Sequence, residues 1–432
     1  MSILQITTTN PHLSWILRKN PASGMLITEL RQGMIFSWYS DDTTYNTYFK
    51  DAPDEVSYKK DQDEQFEYLN TSRYNAALSI VNMITTLFDH VVKEKQEHDD
   101  ENQYDHTIQI NLMYLKSQRY VALFQQHFQK LSLEVVEKAN KNYQLTFTSR
   151  ESLQDLLSIV MLFTMFYAII NDDDIYINQD IVKKYLSIVE RVDPPYFIRY
   201  LFKLRFFPSY KLFEQYKDTL ERSDLYPIQL TAGTNHQNRR DTIASHLDFA
   251  HSIIDIGCGE GFYVMPFSGK IADQKYIAID TDEEMREIVE GKAKKREKEN
   301  VLVFPSFEEF VSSSPPLDQG YDIIMTEVIE HMSMKEAEEL IRQVLTFPAV
   351  HSFIITTPNK DFNQYYFDDE DEIRHQEHQF EMTKQEFADW IAKMIDSQKY
   401  AHEIIAIGDS VNGTTPTTGV IVRKEVMSEV VR

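Results

Sequence analysis

A chain of 432 residues, 42% hydrophobic and 12% aromatic, has room for two or three domains with packed cores, which excludes a disordered or fibrous protein. Its 44 Lys and Arg against 68 Asp and Glu give a formal net charge of -24. That balance argues against broad coating of nucleic-acid phosphates, so any RNA contact should be short, metal-centred and confined to a terminus or single strand. One cysteine, Cys258, excludes an intrachain disulfide and fits a reducing cytoplasm.

The stretch Met1 to Thr9 lacks a basic region followed by an apolar core, so no secretion signal is expected there. Mixed strands and helices follow, ending in an amphipathic helix from Ser72 to Val92, and the charged stretch Lys93 to His106 reads as a linker. The next segments read as strand Thr107 to Leu115, helix Gln118 to Leu131, and strands Ser132 to Glu137 and Tyr143 to Ser149. An α+β N-terminal region of two lobes, 1–92 and 107–230, is therefore expected. Helices are expected at Ser152 to Ile170, Asn178 to Val192 and Pro195 to Leu220. The apolar run Leu156 to Ile170 is shorter than the ~20 residues of a membrane span, so it reads as a buried helix with no membrane partner. Two basic segments, Arg199 to Phe207 and Lys292 to Arg296, read as solvated helix faces or RNA-contacting grooves.

The small polar break Thr231 to Asn235 divides an N-terminal region, 1–235, from a C-terminal domain, 236–432, which opens on a helix from Gln237 to Asp248. Beyond it strand and helix alternate, as in a doubly wound α/β domain. Apolar strands are expected at Ser252 to Asp255, Tyr276 to Ile279, Val301 to Phe304, Asp322 to Met325 and Ser352 to Thr356. Late strands at Glu403 to Ile407 and Gly419 to Arg423 complete a Rossmann-like sheet of seven, with an antiparallel hairpin at one edge.

Two motifs carry chemistry. The first is Asp255-Ile-Gly257-Cys258-Gly259-Glu-Gly261, a strand running into a glycine-rich turn, with Asp280 closing the next strand. Such glycines let backbone N–H groups approach a ligand, and an acid at the end of the next strand can hold ribose hydroxyls. The spacing is GxGxG rather than the GxGxxG of dinucleotide folds, which is the pattern of S-adenosylmethionine-dependent methyltransferases. Cys258 inside the turn reads as a small filler. The second motif is Glu327-Val-Ile-Glu330-His331, whose carboxylates and imidazole at i, i+3 and i+4 share one face if the segment is an α-helix. His378, in the second histidine-rich stretch, could add a fourth ligand. Four ligands of mixed O and N type suit a divalent cation with open positions for substrate.

With these motifs in hand, the chain resembles the 3′-terminal RNA ribose 2′-O-methyltransferases, the plant small-RNA methyltransferases and their bacterial RNA-repair counterparts. The resemblance rests on residues 255–261, Thr326 to Met332, Thr356 to Asn359 with Asn363, and Arg374 to Thr383. More loosely it extends to Ile6 to Thr9, Tyr68 to Asn70, Arg73-Tyr74, and Asp172 to Asp174 with Tyr176. It implies methyl transfer from S-adenosylmethionine to the 2′-hydroxyl of an RNA's 3′-terminal nucleotide, assisted by Mg2+ or Mn2+. By the same resemblance, Glu327, Glu330, His331 and His378 are the catalytic metal ligands. Asp255, Gly257, Gly259, Asp280 and Ser306 bind the cofactor, with Ser306 near the adenine. The implied partners are an RNA 3′ end and a polynucleotide kinase-phosphatase that contains an RNA ligase, which the N-terminal region would support. Glu377 stands where the family usually has Asp, and Met382 where it usually has Trp. Two alternatives stay open: a metal-independent small-molecule O-methyltransferase, and a ligase-docking protein whose methyltransferase domain is idle.

Overall fold

The computed structural model describes residues 2–30, 33–51, 58–59, 68–69, 75–173, 177–271, 274–366 and 377–424, and the chain divides into two compact units, Met1–Leu225 and Tyr226–Arg432. The first unit is built on seven strands: β1 (Ser2–Thr8), β2 (Leu26–Leu30), β3 (Gly33–Asp41), β4 (Thr44–Asp51), β5 (His106–Tyr114), β6 (Ser132–Ala139) and β7 (Asn142–Ser149). Their order in the sheet is β2-β3-β4-β1-β5-β7-β6, antiparallel throughout. Buried and half-buried residues alternate along β3, β5 and β7, the pattern of a sheet covered on one face. Ile35, Ile108, Ile110, Leu145 and Phe147 face inward. Helices Ala77–Leu87 and Leu153–Ile170 cover them, with Phe147 and Phe163 edge to face at 5.1 Å.

Several expectations for this unit are corrected. The lobes 1–92 and 107–230 are not separate, because β1 lies between β4 and β5 and hydrogen-bonds to both. Nor is Lys93 to His106 a spacer. Gln96 and Asp99 are buried there, and the Asp99 carboxylate accepts the Leu153 and Gln154 amides at 2.7 and 3.0 Å, satisfying N–H groups that open the central helix. The expected helix Pro195 to Leu220 is two, Tyr196–Phe206 and Tyr210–Glu221. Pro208 lacks an N–H to continue the first, and Ser209 caps the second. Within the first of these, Arg199 and Lys203 are buried rather than solvated or open to RNA. The Arg199 guanidinium donates to the Pro194 and Leu220 carbonyls and pairs with Asp193.

Helix Leu153–Ile170, at 18 residues, is long and apolar enough to cross a membrane by length and composition, so the length argument fails. Its burial among the sheet and neighbouring helices is what makes it a core element. The reading Ser72 to Val92 becomes Ala77–Leu87 and Asp89–Lys93, broken at Phe88. Residues 72–74 of that reading, and the landmarks Asn70, Arg73, Tyr74, Asp174 and Tyr176, lie outside the described residues, while Tyr68 and Leu69 are described as backbone alone.

The second unit holds β8 (Ser252–Ile256), β9 (Tyr276–Ile279), β10 (Val301–Phe304), β11 (Tyr321–Thr326), β12 (Val350–Pro358), β13 (Tyr400–Ile407) and β14 (Thr417–Lys424). The order is β10-β9-β8-β11-β12-β14-β13. The first five are parallel, and β14 runs antiparallel between β12 and β13. Both faces are covered, so β8, β9 and β11 are buried at every position, as parallel sheets require. This unit starts nearer residue 226 than 236. Ile228–Gln229 pairs with Ser410–Val411, and Thr231 donates from both its amide and its hydroxyl to Asp409 at 2.7 Å. The opening helix spans Asn235–His246 and is fixed by a Thr234–Gln237 capping box. Lys294, Lys295 and Arg296 are exposed at the end of helix Glu283–Lys295, as a solvated face.

Candidate functional site

Two loops leave adjacent strands at the carboxyl end of the parallel sheet. The first turns through Gly257, Gly259 and Gly261 at φ 72°, 49° and 81°, the left-handed region open to glycine. A Cβ on Gly257 would lie 2.4 Å from Val328 Cγ2, so glycine there also lets this loop touch the segment after β11. The Gly257 and Cys258 amides donate to the Ile279 carbonyl at 2.8 and 3.0 Å. The Gly259 amide donates to Asp280 Oδ2 at 2.8 Å, and the Asp282 amide to Oδ1 at 3.0 Å. Each carboxylate oxygen of Asp280 keeps acceptor capacity for a further partner.

Asp255 is fully buried. It accepts the Tyr276 hydroxyl at 2.8 Å on one oxygen, while the other has no hydrogen-bond partner among the described residues. Burial pushes this carboxyl up to about 7, against the pull of the Tyr276 hydroxyl. Cys258 is buried and burial raises its thiol pKa, which suits a filler and not a nucleophile. Ser306, just past β10, caps the next helix by accepting the Glu309 amide at 3.1 Å.

The second loop carries both acids and His331, but not on an α-helix. Glu327 leaves β11 at φ 55°, and Ile329–His331 forms a single 3-10 turn. The left-handed conformation of a non-glycine residue costs about 1–3 kcal/mol. It lets the Glu327 amide bond the Thr356 carbonyl at 2.9 Å and turns the loop back over the sheet. Glu330, His331 and His378 come together, with one ligand atom from each within 4.8 Å of the others. The two rings meet edge to face at 4.8 Å. The Gln379 amide bonds the Glu330 carbonyl at 2.7 Å and so holds the His378 segment in place.

Around this cluster stands a layer of orienting groups. His378 Nδ1 contacts Glu381 Oε1 at 2.6 Å, and Asn363 donates to Glu381 Oε2 at 2.6 Å. A carboxylate on one ring nitrogen leaves the other aimed at the cluster, as behind metal-ligating histidines. Thr357 donates to Glu330 and Thr356 to Glu327, both at 3.2 Å. Met382 is buried in the hydrophobic core of this unit. Arg374 and His375 lie outside the described residues.

Glu327 stands slightly apart from the other three. One oxygen accepts Thr356, and the other meets the buried Arg239 guanidinium at 2.8 Å. Burial opposes the Arg239 charge, but Glu327, Tyr263 and Glu330 together outweigh it and raise the pKa above the usual arginine value. Sequence reasoning missed Arg239. A basic residue on the helix ahead of the glycine loop was the available signal, and its partner lies 88 positions away. Glu330 is buried, and burial, with Glu327 nearby, pushes its carboxyl well above the usual range. Its Oε1 has no hydrogen-bond partner among the described residues. A buried carboxylate with one orphaned oxygen, grouped with two imidazoles, is what a cation would satisfy, so the donor set fits a divalent metal. The glycine cradle beside Asp280 likewise fits an adenosyl-type cofactor.

Residues 253–347 match the family described as methyltransferase domain. A protein named small RNA 2′-O-methyltransferase from Xenopus tropicalis is 33% identical over 100 residues, 23% of this chain and 27% of its own length. One of the same name from Caenorhabditis elegans is 33% identical over 72 residues, 17% of this chain and 16% of its own. The chain thus spans under a third of these relatives. A solved chain from the Pnkp1/Rnl/Hen1 RNA repair complex aligns over 98% of this chain and 100% of its own, with 27% identity and a TM-score of 0.81. The Hen1 N-terminal domain family matches residues 3–225, just over half of the chain: the protein belongs to the Hen1 family.

Proposed function

We propose that the protein transfers a methyl group from S-adenosylmethionine to the 2′-hydroxyl of the 3′-terminal nucleotide of RNA, with a divalent cation, Mg2+ or Mn2+, as cofactor. The observation that carries this reading is the convergence of Glu330, His331 and His378 beside a glycine turn that touches the same loop at Val328. A methyl donor held at one loop and a hydroxyl held at the other would be neighbours. S-adenosylmethionine supplies an electrophilic methyl group, for which Gly257, Gly259, Asp255 and Asp280 form the cradle, with Ser306 at its adenine end. A divalent cation held by Glu330, His331 and His378, with Glu327 as the fourth donor, would lower the pKa of a ribose hydroxyl and fix its position.

The protein's own groups do the rest. Glu381 fixes the His378 tautomer, Thr356 and Thr357 hold the two carboxylates, and Arg239 balances the charge of Glu327. A terminal ribose is the only one in a strand with a free vicinal diol, so a two-oxygen grip would read the RNA end without basic grooves. That reconciles an RNA substrate with a net charge of -24. The relatives' name supports RNA 2′-O-methylation, and the repair complex supports a role in RNA repair with a kinase-phosphatase and ligase as partners.

The test is transfer from labelled cofactor to a synthetic RNA. Full transfer to a 3′-hydroxyl end, loss with EDTA and recovery with Mn2+ or Mg2+ are expected, with poor reaction at a 3′-phosphate or 3′-deoxy end. Equal rates on all three ends would reject the diol grip. Activity untouched by EDTA would reject the cation.

A further inference from the structure

The amino ends of the same strands carry a second convergence, about five residues or ~16 Å back along β11 from Glu327. His251 stands just before β8, Asp322 is the second residue of β11, and His351 is the second of β12. Both Nδ1 atoms face one carboxylate: His351 Nδ1 lies 2.9 Å from Asp322 Oδ1, and His251 Nδ1 lies 3.7 Å from Oδ2. The rings stack at 3.9 Å between centroids, 24° apart. Gly320 makes room for them, since a Cβ there would lie 2.8 Å from His251 Cδ2 and 3.1 Å from His351 Cβ.

The Asp322 side chain is 2% exposed. Ser352 and His351 satisfy its Oδ1 at 2.5 and 2.9 Å. Its Oδ2 and the Nδ1 of His251 are both buried without a hydrogen-bond partner among the described residues. At 3.7 Å they are too far apart to satisfy each other. A buried carboxylate oxygen left open is costly, and native structures fill such positions with a partner. The partner that suits two imidazoles and one carboxylate is a borderline transition cation of the Zn2+ kind, not Mg2+.

We infer that His251, Asp322 and His351 form a Zn2+-type site that ties the starts of β8, β11 and β12 together. One ligand atom from each already lies within 4.8 Å of the others. In a tetrahedral site with bonds of ~2.0–2.1 Å the ligands sit ~3.3 Å apart, so closure needs shifts of about 1 Å. His251 is half-buried and His351 exposed, which leaves both rings able to move that far. Asp248 Oδ1, 3.5 Å from His251 Nδ1, is at hand as a further donor. The site does not depend on the proposed methyl transfer, and its role would be structural.

The test uses chelator-stripped full-length protein titrated calorimetrically with Zn2+. The His378→Asn/Glu330→Gln double variant removes the carboxyl-end cluster and should retain one equivalent. His351→Asn or His251→Asn added to it should abolish that equivalent, or weaken it at least a hundredfold. In the otherwise native chain, His351→Asn should leave methyl transfer with Mg2+ or Mn2+ unchanged. An unchanged equivalent in the triple variant would overturn the assignment. A second measurement needs no variant. Zn2+, and not Mg2+, should protect His251 and His351 of the native chain from diethyl pyrocarbonate, read by mass spectrometry. Equal modification with and without Zn2+ would overturn it as well.

Discussion

The glycine loop leaves β8 and the acid-histidine loop leaves β11, neighbouring strands at one end of one sheet, and they do opposite things with backbone and side chain. In the first, three glycines at positive φ let the backbone turn tightly, and the side chains that matter, Asp255 and Asp280, lie at the carboxyl ends of successive strands. In the second, the donors come from two segments 47 positions apart, and a further layer from β12 and the residues after it orients them. A loop made of backbone is vulnerable to an added carbon. A cluster made of buried charge is vulnerable to a removed one.

The comparison is broken most sharply at the cluster. His378→Ala or Glu330→Gln should lower methyl transfer at least about a hundredfold while leaving cofactor affinity within about twofold. The double variant should be no worse than the single ones, since groups acting as a unit do not add. Multiplicative losses in a radiolabel assay would mean the residues act separately.

The glycine loop is probed next. Gly257→Ala adds a carbon 2.4 Å from Val328 at φ 72°, so cofactor affinity should fall about tenfold to a hundredfold by calorimetry. Gly259→Ala meets nothing within 4 Å and should cost only the ~1–2 kcal/mol of a left-handed alanine. If the two variants bind alike, close approach to Val328 is not what position 257 serves. Behind the cluster, Glu381→Ala should weaken cation affinity about tenfold to a hundredfold, the usual effect of losing a carboxylate behind a ligand histidine. Unchanged Mn2+ affinity would remove Glu381 from that role.

The smallest expected effect lies at Asp255 and depends on pH. Its folded pKa of about 7 exceeds the ordinary aspartate value of 3.8, so the folded state holds the proton more tightly. Stability from this group is full below about pH 4 and falls as pH rises toward 7. That difference amounts to a ceiling of ~4 kcal/mol. Asp255→Asn removes that loss but leaves an amide to satisfy, so a net gain of about 1–2 kcal/mol at pH 8 and little at pH 4 is expected in denaturant melts. A gain equal at both pH values would show that the carboxyl is not protonated in the fold.

The seven strands of the second sheet, the two loops and both acid caps could be read in the sequence because each is local: an apolar run, a glycine spacing, an acid at a strand end. The ExxEH segment was read as a helical face because its spacing suits one. The left-handed Glu327 that makes it a turn is set by a bond to Thr356 on the next strand, which spacing cannot reveal. Arg239 was missed for the same reason, as its meaning comes from Glu327. In the first unit, the charged stretch before β5 reads as a linker, whereas Asp99 within it holds the amides of a helix more than fifty positions away. Single-residue positions and the joining of His378 to the ExxEH segment were legible, and the bonds that orient them across the fold were not.

The central position of β1 bears on how the first unit is made. Ser2–Thr8 is complete only when Thr44–Asp51 and then His106–Tyr114 have joined it. At ~5–20 residues per second on the ribosome, the second partner trails the first by roughly 3–12 s. During that interval one edge of a central strand stays open, a template for pairing with another chain. Long-range pairing of this kind also slows refolding. Refolding yield of the isolated first unit should therefore fall steeply with protein concentration, and a chaperone that covers nascent strands should restore it.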